Sequence, residues 1–281
     1  MSSKSNLPVV FVVGASRGLG LSIVEILLNG SKTLEPANVV ALSRSQTDAI
    51  NKLSSEQRSS KSSLIAVQGD ASKESDCKKA IDQAIQKWGR LDAIILNAGT
   101  IEYARLANGK PAELVDQISS NVAMILQPLH HSIPHLRSSP TGCGKAVFVS
   151  SGASTGQTSA WGAYNASKAA MNAIARTLAN EEKSLAVWAV RPGVVDTEMQ
   201  KSIREKAKES MDPNEYVRFE ELHRDGKLLP PEKPGHVFAA LAVRGTRSHP
   251  ALPNENEGAG AKGAYINWEA EELQDFQLPP Q

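Results

Sequence analysis

Tyr164 and Lys168 stand four positions apart in the stretch AYNASKAAM, residues 163–171, and both side chains can exchange a proton. Alanine is the strongest helix former, so the stretch is predicted to be helical, with the phenol and the ammonium one turn apart on the same face. A tyrosine ordinarily has a pKa of about 10, and a neighbouring cation favours the phenolate and lowers that pKa. A pair with this spacing can also arise by chance, so it predicts a tyrosine that is tuned for proton transfer only together with the motifs that accompany it.

A glycine-rich stretch, GASRGLG at residues 14–20, lies between the first apolar run and the first helical stretch. Gly14, Gly18 and Gly20 follow the spacing GxxxGxG. Glycines let the backbone turn tightly and approach a pyrophosphate, while the amides and the positive end of the helix stabilise its charge. Between a strand and a helix, the pattern favours a dinucleotide-binding loop over a tight turn without a ligand.

Two arginines bear on which dinucleotide would bind. Ser43 and Arg44 follow the second apolar run, where an NAD-binding chain would carry an acidic residue for the ribose hydroxyls. Arg44, together with Arg17 in the glycine loop, can clamp a 2′-phosphate that a carboxylate would repel. The sequence therefore favours NADP(H) over NAD, and two surface arginines without a ligand are the alternative.

Polar and small residues follow the later apolar runs as well. Asp70 comes after the third run, Asn97–Gly99 after the fourth, and Ser151 after the fifth, 13 residues before Tyr164. Asp70 would place a carboxylate near the adenine amino group, and Asn97–Gly99 would form a small-residue turn along the cofactor channel. Ordinary turn chemistry explains either of them equally well.

The elements that position these residues alternate regularly along the chain. The apolar runs are short, β-branched and almost continuously apolar, which is typical of strands buried on both faces of a parallel sheet. Helical stretches lie between them, so the sequence predicts an α/β fold, a doubly wound parallel sheet that binds ligands beyond the carboxyl ends of its strands. The runs span residues 8–13, 38–42, 63–67, 92–96, 145–150 and 185–190, with a last short strand at 264–268.

The helical stretches are also readable from periodicity. The first carries an apolar stripe from Leu19 to Leu28 and stops at Asn29-Gly30, and the fourth contains Pro128, where it is expected to bend. The others are predicted at 46–58, 74–88 and 161–182, and the fourth at 111–137. Residues 197–226 are rich in charge and helical in propensity up to Met211, so they are expected to form a lid inserted over the sheet edge, whereas 246–263 is loop by composition.

Length and composition bound the remaining possibilities. The 281 residues fit one large domain, 1–281, and 41% hydrophobic against 22% charged residues suits a globular chain with a substantial core. The balance of 31 basic and 30 acidic side chains gives no field that would attract nucleic acid or an anionic membrane. Cys77 and Cys143 are too few for a disulfide framework, and no apolar stretch is long enough for a signal peptide or membrane span, so a cytoplasmic protein is expected.

Taken together, the motifs resemble the short-chain dehydrogenase/reductase superfamily over residues 8 to about 200, and again at the last strand. Within it, the stretches FVSSGAS, GVVDTEMQ and SIRE are similar to fungal benzil reductases of the sepiapterin-reductase-like group. The matching residues are Gly14-x-x-x-Gly18-x-Gly20, Asn97-Ala98-Gly99, Asn121, Ser151, Tyr164-x-x-x-Lys168 and Pro192-Gly193 with Thr197.

The resemblance implies a role for each catalytic position. Tyr164 would be the general acid and base, Ser151 would orient the carbonyl, Lys168 would hold the nicotinamide ribose, and Asn121 would support a water-linked proton path. The implied reaction is hydride transfer from NADPH to a ketone or diketone, which gives a secondary alcohol. The substrate would be a small carbonyl compound such as a diketone, quinone or pterin.

The resemblance also implies the cofactor site and the assembly. Thr197 and the backbone at Val195 would fix the nicotinamide carboxamide, within a single Rossmann-type domain of about seven strands that has helices on both faces and a helical lid after strand six. The helices at 111–137 and 161–182 would form the interface of a homodimer or homotetramer. The full set of cofactor-binding residues is Gly14, Ser16, Arg17, Gly18, Leu19, Gly20, Ser43, Arg44, Asp70, Asn97, Ala98, Gly99, Tyr164, Lys168, Pro192, Val195 and Thr197.

Other functions are also compatible with parts of this sequence. A cofactor-binding sensor or scaffold without turnover is the main alternative, and an epimerase or dehydratase would typically need a longer substrate domain after residue 197. His131 and His135 have the spacing of helical metal ligands, but Pro134 lies between them with no adjacent Glu, so no metal site is predicted. No strained G-x-S-x-G turn surrounds Ser151, which argues against a serine hydrolase. Trp161 would line a substrate pocket or, more simply, pack as a buried aromatic.

Overall fold

The computed structural model describes residues 6–56, 58, 61–253 and 255–279. Within these ranges seven strands form one sheet in the order β3-β2-β1-β4-β5-β6-β7, and every neighbouring pair is parallel. The predicted doubly wound α/β fold is therefore confirmed. The strands are β1 (Val9–Val13), β2 (Asn38–Ser43), β3 (Leu64–Gln68), β4 (Ala93–Leu96), β5 (Gly144–Val149), β6 (Leu185–Arg191) and β7 (Ala264–Asn267).

Helices cover both faces of this sheet. The bounds in chain order are α1 (Gly18–Asn29), α2 (Asp48–Ser55), α3 (Glu74–Trp88), α4 (Pro111–Arg137), α5 (Gly162–Glu181), α6 (Glu198–Lys206), α7 (Pro213–Arg224), α8 (Glu232–Arg244) and α9 (Ala259–Lys262). Two short 3₁₀ helices, Gly152–Ser154 and Glu271–Phe276, complete the structure of the described residues.

The alternation of side chains along β1 shows how the core is divided. Val10 and Val12 pack into one apolar layer with α1 and α8, whereas Val9, Phe11 and Val13 pack into the other with α3, α4 and α5. All five side chains are fully buried. Burial on both faces is why the strands have almost continuously apolar sequences.

Most helices lie where periodicity predicts them. The bounds of α3 and α4 agree with the predicted 74–88 and 111–137, and α5 lies within one residue of the prediction at each end. Gly89 ends α3 in the left-handed conformation, φ 72°, which glycine adopts without a steric penalty. The helix α4 continues past Pro128 and Pro134.

The lid and the segment after it differ from the sequence-based expectation. Helical structure does not stop near Met211, because Asp212 caps a second lid helix, α7, by accepting a hydrogen bond from Asn214 N, and Pro213 occupies the first turn. The helix α8 was not predicted at all, since Pro234 and Gly235 interrupt its sequence. Pro234 is tolerated in the first turn, where its missing amide has no partner to lose.

Two smaller differences concern α2 and the loop at 246–263. The helix α2 is shorter than the predicted 46–58, because Thr47 caps it by accepting a hydrogen bond from Ile50 N. Residue 57 of that prediction lies outside the described residues, as do residues 1–5, 59, 60, 254, 280 and 281. The loop contains the short helix α9.

Nowhere in the described ranges is a helix both long and apolar enough to span a bilayer.

Candidate functional site

The candidate site lies at the carboxyl ends of the central strands, where the loops after β1 and β4 are joined directly. Asn97 Nδ2 donates a hydrogen bond to Gly14 O, at 2.7 Å. Gly14 has φ 82°, and a Cβ on it would lie 2.8 Å from the Ala98 backbone. A Cβ on Gly20 would lie 2.0 Å from Gly14 O. Side chains at these two positions would therefore push the loops apart, which explains why both are glycine.

The start of α1 presents unpaired amides to the same edge. Arg17 precedes the helix with an extended backbone, its side chain makes no capping hydrogen bond, and the first turn contains no acidic residue. Gly18 has φ 53°, and a Cβ there would lie 3.1 Å from Thr197 Cγ2. A helix start without a capping side chain, closed in by glycines, fits the binding of a phosphate. Ser16 and Leu19, the other predicted contacts in this loop, are buried.

The second candidate anion contact lies at the end of β2. Arg44 is exposed, and its carbonyl accepts a hydrogen bond from Gln68 Nε2 at 3.1 Å. Asp70 follows β3, and hydrogen bonds from Ser72 lower the pKa of its carboxyl, with attraction to the Arg44 guanidinium contributing in the same direction. Ser43 Oγ donates to Ser45 O at 3.1 Å, so its hydroxyl shapes the turn. Arg44 and Asp70 thus follow two strands that are neighbours in the sheet, β2 and β3.

Tyr164 and Lys168 are both buried on α5, as their spacing predicts. Lys168 Nζ lies 5.8 Å from the centre of the Tyr164 ring and donates a hydrogen bond to Val149 O at 2.8 Å. The Tyr164 hydroxyl lies 3.9 Å from Met199 Sδ, which is a weak acceptor. The ammonium is therefore held at the end of β5.

The protonation of this pair departs from the sequence-based expectation. Burial raises the pKa of Tyr164 to about 12, while a hydrogen bond from the Ser151 side chain acts in the opposite direction. Burial also lowers the pKa of Lys168 to about 8. The prediction that Lys168 lowers the pKa of Tyr164 is wrong in this structure, because loss of hydration disfavours the charged form of both groups.

Ser151 lies at the end of β5, beside Tyr164. Its hydroxyl accepts a hydrogen bond from Ala153 N at 3.1 Å, and its carbonyl accepts one from the Tyr265 hydroxyl at 3.0 Å. These bonds fix the single-turn helix that follows β5 and leave the Ser151 hydroxyl hydrogen able to point toward the phenol. Tyr265 on β7 was missed from the sequence, because no motif marks it.

Asn121 is buried on α4 and bonded on all sides by protein groups. Its Oδ1 accepts from Thr100 N at 2.9 Å, and its Nδ2 donates to Thr100 O at 3.0 Å and to Ser167 Oγ at 3.1 Å. These bonds join the loop after β4 to α5. A Cβ on Gly99 would lie 3.8 Å from Lys168 Nζ and 3.9 Å from Asn121 Oδ1, so three predicted site residues meet here.

The base of the lid is tied to the end of β6. Thr197 Oγ1 donates to Val195 O at 3.3 Å and caps α6 by accepting from Gln200 N. Val195 itself pairs with Leu229 across an isolated bridge. Pro192 lies just after β6, half-buried. Thr197, one of the two residues predicted to contact the nicotinamide carboxamide, therefore lies next to Gly18 of the glycine-rich loop.

An apolar cluster closes the other side of the site. Trp161 stacks on Phe219 of α7 with ring centres 5.4 Å apart and meets Tyr164 edge-on at 5.7 Å, so it is a packed aromatic. Sequence reasoning missed Tyr103, Ile101 and Phe219, because they stand in loop and lid segments without a motif. The buried members are Ala153, Ala160, Trp161, Tyr164, Ile203, Ala207, Met211, Tyr216 and Phe219, with Ile101, Tyr103, Val194 and Met199 packed against them.

The histidines lie away from this site. His131 Nε2 is 3.5 Å from Glu74 Oε1, between α4 and α3. In the part of the chain that the structure describes, no three His, Cys, Asp or Glu side chains converge as a metal site would require.

The chain is similar in sequence and in structure to known proteins. Residues 8–208 match the short chain dehydrogenase family. A benzil reductase ((S)-benzoin forming) of Saccharomyces cerevisiae is 34% identical over 96% of this chain and 98% of its own, and an uncharacterised oxidoreductase of Schizosaccharomyces pombe is 34% identical over 93% and 96%. A crystal structure of a short-chain dehydrogenase/reductase from Saccharomyces cerevisiae superposes with a TM-score of 0.84 at 33% identity, covering 96% of this chain and 100% of that one.

Proposed function

Because the chain belongs to the short-chain dehydrogenase family, we propose that it reduces a ketone or diketone to a secondary alcohol with NADPH, with Tyr164 as the general acid. The observation that carries this proposal is a buried phenol beside Ser151, facing an apolar cluster. A relative of similar length is a benzil reductase that forms (S)-benzoin, which supports a diketone as the substrate.

The glycine loop and the two arginines fit this cofactor. The glycines leave a cradle that a Cβ would fill, and the start of α1 lacks a capping side chain. Arg17 and Arg44 are both exposed and carry the charge that a 2′-phosphate requires. Lys168, Asn97 and Thr197 would hold the nicotinamide half. When bound, the reduced dinucleotide supplies the hydride.

The remaining chemistry belongs to side chains of this protein. The Tyr164 hydroxyl donates its proton to the carbonyl oxygen, and the Ser151 hydroxyl stabilises the negative charge that develops there. Because burial raises the pKa of Tyr164 to about 12, the phenol keeps its proton throughout the physiological range. A protonated phenol is the state that carbonyl reduction uses.

Replacing Tyr164 with Phe tests the proposal. The substitution keeps the ring in its apolar contacts and removes only the proton donor, so we expect turnover of a diketone to fall about 10²- to 10⁴-fold. NADPH binding, measured by fluorescence titration, should stay within a factor of about two of the wild type. Near-normal turnover in this variant would contradict the proposal. NADPH binding by the wild type without oxidation, across a panel of ketones, diketones and quinones, would favour the sensor or scaffold instead.

The expected homodimer or homotetramer and the cytoplasmic location stay predictions. Two adjacent helices supply a surface for self-association, since α4 exposes the large apolar side chains of Val115 and Leu126. The neighbouring α5 exposes small residues, namely Ala166, Ala169 and Ala173. A flat face of this kind suits packing of the same helices from a second copy.

A further inference from the structure

A second phenol, that of Tyr103, lies in the same apolar cluster as Tyr164. Its hydroxyl donates a hydrogen bond to Ser202 Oγ at 3.3 Å, and its ring packs against the buried residues around Trp161. Burial is the main cause that raises the pKa of Tyr164, and the Tyr103 phenol adds to the increase, so the two hydroxyls are close enough to interact. No step in the proposed reaction uses Tyr103.

The loop that carries Tyr103 is held from both sides. Ala104 N donates to Ala160 O at 3.0 Å, immediately before Trp161, and Arg105 Nε donates to Ser210 O at 2.8 Å in the lid. The ring of Tyr103 is therefore fixed relative to α5 and α6. A fixed hydroxyl in a mostly apolar wall is the arrangement by which a binding site selects one polar group of a ligand.

One turn of α6 relates the two phenols. Met199 Sδ contacts the Tyr164 hydroxyl, and Ser202, three residues further on, contacts the Tyr103 hydroxyl. Residues three apart on a helix have their Cβ atoms about 5–6 Å apart on the same face. The two hydroxyls therefore contact neighbouring residues on one face of α6 and border a single wall, where a ligand with two neighbouring oxygens would meet both.

Tyr103 and Ser202 together carry one more hydroxyl hydrogen than their mutual hydrogen bond uses. Two hydroxyls carry two hydrogens, and their mutual bond uses one of them. Among the described residues, no hydrogen bond takes up the other. A ligand oxygen that accepts it adds a bond without breaking an existing one, because either hydroxyl can act as the donor while the other accepts.

We propose that Tyr103, positioned by Ser202, binds the second oxygen of a 1,2-dicarbonyl substrate with an aromatic arm while Tyr164 and Ser151 bind the first. The carbonyl carbon at Tyr164 accepts a hydride from the reduced nicotinamide dinucleotide, its π bond opens, and its oxygen takes the Tyr164 proton. The second carbonyl stays intact, so the product is an α-hydroxyketone. Ile101 and Met199, which are partly buried beside the cluster, supply the apolar surface for the arm.

This inference rests on the proposed function, and a pair of substrates separates the two. Benzil and deoxybenzoin have the same two aryl groups, but deoxybenzoin lacks the second carbonyl oxygen. In the Tyr103→Phe variant we expect the ratio of kcat/KM for benzil to that for deoxybenzoin to fall about three- to tenfold, which corresponds to one hydrogen bond. The Ser202→Ala variant should lower the ratio by a smaller factor, because Tyr103 keeps its hydroxyl but loses the partner that orients it.

Tyr216→Phe is the matched control. It also removes a phenol oxygen from the same cluster, but that hydroxyl donates to Arg204 O within the lid, so the ratio should stay as in the wild type. An unchanged ratio in Tyr103→Phe would overturn the inference while leaving the reductase intact. A wild type that reduces neither compound nor any other ketone would instead overturn the proposed function.

Discussion

Arg17 and Arg44 are the residues that we propose to decide the choice of dinucleotide. They come from separate segments, the loop before α1 and the end of β2, and Thr47 Oγ1 ties the second segment to the first by donating to Ser16 O at 2.8 Å. Both guanidinium groups are exposed at the same sheet edge. Two exposed cations at one sheet edge suit a phosphate dianion, and a guanidinium group can bind two phosphate oxygens at once.

Replacing Arg44 with Asp should therefore weaken NADPH far more than NADH. A carboxylate there would repel the 2′-phosphate and accept hydrogen bonds from the ribose hydroxyls of NADH. We expect the ratio of the two dissociation constants, measured by fluorescence titration, to shift by at least about tenfold toward NADH. Lys52→Asp, on α2, makes the same change of charge at an exposed position and serves as the control. If the cofactor preference of Arg44→Asp matched that of the control, Arg44 would have no part in binding the phosphate.

The pair of Tyr164 and Lys168 shows what sequence could and could not predict at this scale. Spacing alone predicted that Tyr164 and Lys168 share a face of α5, because helical periodicity is local. The direction of the pKa shift was wrong, since it depends on how completely β5, α6 and the lid remove water from both groups. Tyr103 and Tyr265 were missed for the same reason, because long-range packing brings them to the site.

At the scale of elements, Ser159 joins the lid to the loop that precedes α5. Ser159 N donates to Glu215 Oε2 at 2.8 Å, and the Ser159 hydroxyl donates to the same carboxylate oxygen. Asp212 N in turn donates to Ser159 Oγ at 2.6 Å. One side chain thus anchors the first turn of α7, directly beside Trp161. The position of the lid over Tyr164 therefore depends on a few polar bonds as well as on apolar packing.

Ser159→Ala should loosen this attachment. The substitution removes a donor to Glu215 and leaves Asp212 N without its acceptor, which costs about 1–3 kcal/mol in the free energy of unfolding. Hydrogen exchange of the α7 amides should increase, and KM for the carbonyl substrate should rise. Ser75→Ala on α3 removes an exposed hydroxyl whose one hydrogen bond within the described residues goes to its neighbour Asp76, so exchange and KM should stay as in the wild type. Unchanged protection of α7 in Ser159→Ala would show that apolar packing alone holds the lid.

The prediction of elements succeeded where the apolar stripe is long and uninterrupted. The helices α3, α4 and α5 have such stripes, and their ends were predicted to within one residue. The helix α8 escaped prediction because Gly235 interrupts its pattern. A Cβ at that position would lie 3.2 Å from Ile26 Cδ1 and 3.3 Å from Ser22 Oγ, so the glycine serves the packing of α8 against α1. A tertiary requirement of this kind leaves no local signal.

At the scale of the whole molecule, one sheet contains strands from Val9 to Asn267. His236 joins three distant parts of the chain. The ring is fully buried on α8, with Nδ1 2.9 Å from Phe276 O and Nε2 3.0 Å from Ser31 Oγ. Since a carbonyl only accepts, Nδ1 must carry the hydrogen, and the neutral ring then accepts from the Ser31 hydroxyl at Nε2.

Protonation of His236 would remove Nε2 as the acceptor of the Ser31 hydrogen bond in the folded protein. Burial lowers the pKa of His236 below its ordinary value, and the nearby Arg244 acts in the same direction, although the hydrogen bond to Phe276 opposes the decrease. The folded protein thus binds this proton less tightly than the unfolded chain does. As the pH falls through about 6.5, where an unperturbed histidine titrates, the unfolded chain takes up the proton first. The stability contributed by neutral His236 is therefore present above that pH and is lost below it.

His236→Gln isolates this effect, because glutamine keeps polar atoms at the position but does not titrate. We expect the wild type to be more stable than the variant at pH 7.5 in urea unfolding, and this advantage to shrink at pH 5.5, by at most about 1.4 kcal/mol per pH unit for a single proton. Carboxylates that titrate in the same range affect both proteins alike, so they cancel in the difference. A difference in unfolding free energy that stays constant from pH 7.5 to 5.5 would mean that His236 titrates equally in the folded and unfolded states, and that its contacts to Ser31 and Phe276 do not favour the neutral ring.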